Sequence, residues 1–110
     1  MFKVISSEPF KKRVKRLNKE HKARIKKFIE KLEREGLHAL KILYTKGKIL
    51  GEMKSMRPPY RLYVIYDQED KTFYVLRWEH KSKQEKVVNE LKRKLEEGID
   101  MGLYHIFGEN

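Results

Sequence analysis

Three short strings hold the side chains that could handle a phosphodiester. "ILGEMKSM" (Ile49 to Met56) carries Glu52 and Lys54, "YRLYVIYD" carries Arg61, and "RWEHKSK" carries His80, Lys81 and Lys83. In an extended strand, residues two apart share a face. Glu52 and Lys54 therefore point the same way, and Arg61 goes with Tyr63, Ile65 and Asp67, opposite Tyr60, Leu62, Val64 and Tyr66. A carboxylate, a lysine, an arginine and an aromatic ring on one open sheet face suit binding of a phosphate backbone. A plain cross-strand ion pair of Glu52 with Arg61 or Lys54 explains the same spacing and is the simpler reading of it. His80, at a strand end beside Lys81 and Lys83, is placed for acid–base work near neutral pH.

Other chemistries are poorly represented. The four histidines (His21, His38, His80, His105) are scattered without metal-ligand spacing, so no metal site and no cofactor are expected. The chain has no cysteine, which excludes disulfides and thiolate chemistry and fits an intracellular, cytoplasmic protein. No glycine-rich phosphate loop or nucleophile elbow is present. No stretch reads as a signal peptide or a membrane span, and the basic helices lack tryptophan anchors, so no membrane partner is expected.

The charge balance points to a polyanion. Of 110 residues, 27 are basic and 16 acidic, a net charge of +11. Such an excess suits nucleic acid or an acidic protein. Heat-adapted enrichment in Lys and Glu would not by itself leave the signs so unequal. Hydrophobic residues make up 39 %, enough for one small core, so residues 1–110 read as one domain.

The elements that must position these groups follow from local signals. Phe2 to Ser7 reads as a short strand. Ser7 is a plausible N-cap, followed by Glu8 and Pro9 in the first turn and by Phe10, Val14 and Leu17 at helical spacing, a helix of about three turns. After a break near Asn18 to His21, Ile25, Phe28, Ile29 and Leu32 mark a second helix that ends at Gly36. The short connection predicts an antiparallel helical hairpin. Its outer faces carry ten basic residues in the seventeen positions 11–27, among them Lys12, Lys15, Arg16 and Lys19, which could track phosphates. "ALKILY", Ile49 to Met56, "YRLYVIYD" and "TFYVLRWEH" then read as a meander of strands. A last helix over 82–98 has Ser82 and Glu85 as a capping box, a Val87, Val88, Leu91, Leu95 stripe, and Gly98 as its stop. The tail 99–110 is apolar. The fold class is α+β, with the hairpin packed on one face of a small, mainly antiparallel sheet. The other face, with Arg61 on it, is expected to stay partly open, so that Arg61→Ala should leave stability nearly unchanged.

From Phe2 to about Leu95 the chain resembles the RelE/ParE toxin superfamily, with likeness also to HigB and phage-encoded relatives. "LGEMKSM" is similar to that family's "LYELRV" strand, "YRLYVIYD" to its "YRVIY" strand, and "RWEHKSK" to its basic strand-end region. The resemblance implies the toxin of a toxin–antitoxin system, an mRNA endonuclease acting on the ribosome with rRNA contacts. It attacks phosphorus with the 2′-OH, leaves a 2′,3′-cyclic phosphate and needs no metal. It further implies that Arg61 stabilises the transition state. Glu52 is then a base or the holder of Arg61, and His80 and Lys81 are acid and phosphate contact. Lys54 and Lys83 take the family's other basic positions; Lys12, Lys15, Arg16 and Lys19 are expected as RNA contacts from the basic run of the hairpin itself. Gln84, Glu85 and Lys86 stand where many members carry a tyrosine, and lysine replaces arginine at Lys54 and Lys81, losing bidentate geometry. A cognate antitoxin, acidic or amphipathic, is expected to neutralise part of the charge and to contact the last helix and tail. Two other functions fit the same residues: a ParE-like gyrase inhibitor, and a non-catalytic basic module that binds RNA or DNA.

Overall fold

Capping side chains fix the helix starts. In the computed structural model, which describes residues 1–97, strand β1 (Lys3–Ser6) runs into helix α1 (Glu8–Val14). The Ser7 hydroxyl accepts from the Phe10 N–H at 3.2 Å, as the sequence predicts. Helix α1 is shorter than its apolar spacing suggests, seven residues, because the chain turns at 15–17 to place Asn18 as the next cap. Asn18 Oδ1 accepts from the His21 N–H at 3.0 Å and opens helix α2 (Lys19–Glu35). Gly36 ends α2 with φ of 62°, a backbone region that disfavours any side chain, and donates its N–H to Leu32 O.

Strands β2 (Lys41–Lys46), β3 (Lys48–Lys54), β4 (Tyr60–Asp67) and β5 (Thr72–His80) form an antiparallel meander. Strand β1 joins β5 in parallel, giving five strands in the order β1-β5-β4-β3-β2. A single-turn 3-10 helix at Lys81–Lys83 leads into helix α3 (Gln84–Glu97). The expected stop at Gly98, the apolar tail 99–110 and His105 lie outside the described residues.

The sheet is covered on both sides, which corrects the expectation of an open face. Leu62, Val64, Phe73, Val75 and Trp78 point to one side and pack with Phe10, Ile25 and Leu32 of α1 and α2. Tyr63, Ile65, Leu50 and Leu76 point to the other and pack with Val87, Leu91 and Leu95 of α3. The α3 stripe leaves no room for a bare face here: Tyr63 and Ile65 are both 0 % exposed. A bulge in β5 opposite Tyr63 and Val64 puts Leu76 and Arg77 on the α3 side, next to each other.

Leu91 sits at the centre of the α3 contact. Leu91→Ala should cost about 2–5 kcal/mol in urea unfolding, through reduced burial and a residual cavity. A change near zero would mean that α3 does not hold the sheet.

Candidate nucleic-acid interface

The register of the strands collects the predicted residues at one end of the sheet. Lys54 pairs with Arg61, Arg61 pairs with Glu79, and Tyr60 pairs with His80 in the adjacent row. Lys54, Arg61 and Glu79 share the α3 side, while Tyr60 and His80 point to the α1/α2 side. Lys81 and Lys83 follow at once in the 3-10 turn, exposed, as is Lys54. Five residues predicted from separate strings, Lys54, Arg61, His80, Lys81 and Lys83, thus meet around one sheet end.

Arg61 is not a free cation on an open surface. Its Nη1 donates to Glu52 Oε2 at 3.1 Å, and the two side chains are 13 % and 2 % exposed. The Gln84 amide of α3 donates to both Glu52 oxygens, at 3.0 and 3.3 Å. With both oxygens engaged in a buried setting, Glu52 holds Arg61 in place and is not directed at a ligand. Gln84 therefore ties the start of α3 to the sheet.

His80 is tied as well. Its Nδ1 accepts from the Ser82 backbone N–H at 3.1 Å, and the Ser82 hydroxyl lies 2.9 Å away. A backbone N–H can only donate, so Nδ1 holds a lone pair and the neutral ring carries its proton on Nε2. His80 thus offers a hydrogen-bond donor, and it takes over the cap that the sequence assigns to Ser82 and Glu85. His21 is locked in the same tautomer, because the Trp78 indole N–H donates to its Nδ1 at 2.8 Å.

Beside this group lies a charged lattice that sequence reasoning missed. Arg77 donates through Nε to Glu79 at 2.9 Å and through Nη1 to Glu90 of α3 at 3.3 Å. Arg13 reaches from α1 to the other Glu79 oxygen at 3.6 Å. The signal was present: Arg77 and Glu79 are two apart, and Glu90 sits one turn from Val87 on the α3 stripe. Of the hairpin cations, Lys12 and Arg16 line one open recess of about 550 Å³ with Arg13. Lys15 borders a different, apolar recess between α1 and α2, and Lys19 lies in the first turn of α2. All four are exposed.

Burial and the neighbouring Glu52 carboxylate push the Tyr63 phenol from 10.0 up to about 12, against the lowering effect of Arg61. Its hydroxyl and Arg61 Nε are buried without a hydrogen-bond partner. Among the described residues no group of His, Cys, Asp or Glu is arranged to hold a metal, and no helix is long and apolar enough to cross a membrane.

No protein-family model matches the chain, and no curated protein matches its sequence. Among solved structures it is similar to the archaeal RelE-RelB complex from Pyrococcus horikoshii OT3. The TM-score is 0.61 and the identity 21 %, over 72 % of this chain and 93 % of that one. The chain has a RelE-like fold.

Two measurements test the geometry. Against the sequence expectation, Arg61→Ala should destabilise the fold by roughly 3–5 kcal/mol, because it strands the Glu52 carboxylate in a buried site. The Glu52→Leu/Arg61→Leu double variant should recover most of that stability. Equal instability of the single and double variants would argue against the pair. For Tyr63, the raised folded value means that the unfolded chain loses its proton first as pH climbs above 10.0. Stability should then fall between pH 10.0 and about 12, and Tyr63→Phe should flatten that decline while leaving neutral-pH stability unharmed.

Proposed function

We propose that the chain is the toxin of a toxin–antitoxin pair and that it cuts mRNA on the ribosome, in the cytoplasm. The observation that carries this reading is the convergence of Lys54, Arg61, His80, Lys81 and Lys83 on one end of a RelE-like sheet. In the reaction, the 2′-hydroxyl gives its proton to solvent or to a group of the ribosome, and its oxygen bonds to phosphorus as the P–O5′ bond breaks, while negative charge grows on the phosphoryl oxygens. Lys54, Lys81 and Lys83, at the surface, meet that charge directly. Arg61 lies beneath them, paired with Glu52, which Gln84 holds in turn. His80 Nε2–H would hydrogen-bond the leaving 5′-oxygen, which takes its proton from water. The ribosome supplies alignment of the RNA, which is the larger part of the work when acid–base groups are weak.

An antitoxin partner follows from the same likeness, since the similar protein is a RelE in complex with RelB. The net charge of +11 favours an acidic one. One observation favours a second reading, a non-catalytic nucleic-acid binder or gyrase inhibitor: Arg61 and Glu52 are consumed by each other, and no strong base faces solvent in the group.

A cell-free translation reaction decides between them. Purified protein should produce codon-phased mRNA 3′ ends carrying 2′,3′-cyclic phosphate. The exposed pair Lys54→Ala/Lys81→Ala, which leaves the buried network alone, should slow cutting by roughly 100-fold. Intact mRNA would defeat the nuclease reading, and a supercoiling assay with gyrase would then separate the remaining two.

A further inference from the structure

On the side of the sheet end opposite Arg61 lies a group of rings of which the proposed cleavage chemistry uses only His80. Tyr60 stacks on Trp78 with centroids 5.3 Å apart and planes 21° apart. His21 meets Tyr60 edge-on at 4.6 Å, and His80 does so at 5.4 Å. Trp78 is the buried base of the stack, while Tyr60, His21 and His80 are partly exposed. Three elements meet here: the start of α2, the β3–β4 connection and the end of β5.

Cations border the rings. Arg24, one turn beyond His21 on α2, lies over Phe28 at 6.0 Å, and Phe28 packs on Trp78. The same Arg24 donates to the Arg57 carbonyl at 3.3 Å, in the segment that delivers Tyr60. Arg24, Lys27 and Arg57 line an open recess of about 240 Å³, with Glu20 as its one carboxylate. The Nδ1 atoms of both histidines accept from fixed donors, so both Nε2–H groups remain as donors.

Rings with a wet edge, flanked by guanidinium and ammonium groups, match what an unpaired nucleotide needs. A single strand can splay a base onto an aromatic side chain and leave its phosphate to nearby cations; a duplex keeps its bases stacked inside. We propose that Tyr60, flanked by His21 and His80, is a stacking platform for one unpaired RNA base, with the adjoining phosphate in the Arg24/Lys27/Arg57 recess. This rests on the reading of the chain as a protein that acts on RNA, and it adds where the strand runs: over the sheet end, from Lys54 on the α3 side to Tyr60 on the α2 side.

The test uses the full chain and a short unstructured oligouridylate, without ribosomes, against an RNA duplex of equal length. Trp78 is the only tryptophan in the sequence, so its emission reports on the platform directly. Single strands should bind more tightly than duplex and change Trp78 emission. Tyr60→Leu should weaken single-strand binding about 5- to 100-fold with little effect on duplex, and Tyr60→Phe should retain it. Lys27→Ala/Arg57→Ala, both exposed, should lower the slope of log affinity against log salt by about 0.7 for each phosphate that is no longer neutralised. Equal affinity for duplex and single strand, or unchanged binding by Tyr60→Leu, would overturn the platform. If circular dichroism shows Tyr60→Leu unfolded, the recess variant decides, and an unchanged salt slope overturns it. Codon-phased cutting in a protein that fails this test would keep the proposed function and remove only the platform.

Discussion

Strand β4 is apolar on both faces, and that constraint organises the molecule. Leu62 and Val64 face one way, Tyr63 and Ile65 the other, and all four are 0 % exposed. A strand of this kind needs a cover on each side, so α1 and α2 must pack on one face and α3 on the other. Charge is then tolerated only where the covers thin out. At one end of β4 stand Tyr60 and Arg61, and at the other Tyr66 and Asp67. The Arg61 end is the one that the strand register joins to Lys54 and His80, and the basic turn Lys81–Lys83 starts there. The location of the candidate interface is a by-product of closing the core.

Placing charges at the margin of a cover requires that they be paired. Arg61 with Glu52, Arg77 with Glu79 and Glu90, and Arg13 with Glu79 each cross from one element to another or run along the strand edge. Desolvation makes each pair a modest contributor to net stability, yet removing one member leaves a stranded charge. The pairs therefore act mainly on specificity of packing. Gln84 on Glu52 and Glu90 on Arg77 fix α3 in one position along the sheet, which an apolar stripe alone does loosely. Lys54, Lys81 and Lys83, outside the cover, remain solvated and accessible to phosphate.

Most of the fold was legible because its signals are local. Ser7 and Gly36 each mark a helix terminus through groups within four residues, whereas the break expected over Asn18 to His21 is a cap at Asn18 with Lys19–His21 already helical. The residues of "YRLYVIYD" share faces as the period of two dictates, and the α1/α2 side of β4 holds Tyr60, Leu62, Val64 and Tyr66 as expected. The covered second face was not read from the sequence, although the Tyr63 and Ile65 alternation and the Val87, Leu91, Leu95 stripe carry its signal. Arg61 and Asp67 obscured it, since end charges look the same in sequence whether the middle is wet or dry. The parallel pairing of β1 with β5 has no local signal, because the partners lie about 70 residues apart. The site divides in the same way. Its members could be picked from strand strings, but the use of Glu52 by Gln84, and of Glu79 by Arg13, depends on which helix lies where.

His80 is where these two kinds of information meet. Read as a lone histidine beside lysines, it suggests a proton shuttle. In place, its Nδ1 is spent on the turn that starts the 3-10 helix, and its ring leans on Tyr60. A neutral imidazole held in that tautomer has no lone pair left on Nε2, so it cannot take a proton there without first giving one up. What it presents to a ligand is a directed N–H. The same holds for His21 on the far side of Tyr60. A sheet end with surface lysines, an arginine beneath them and two fixed imidazole donors is equipped to bind and polarise a phosphodiester. It is poorly equipped to pull a proton from a 2′-OH unaided, so the proposed cleavage would need a larger partner to align the RNA.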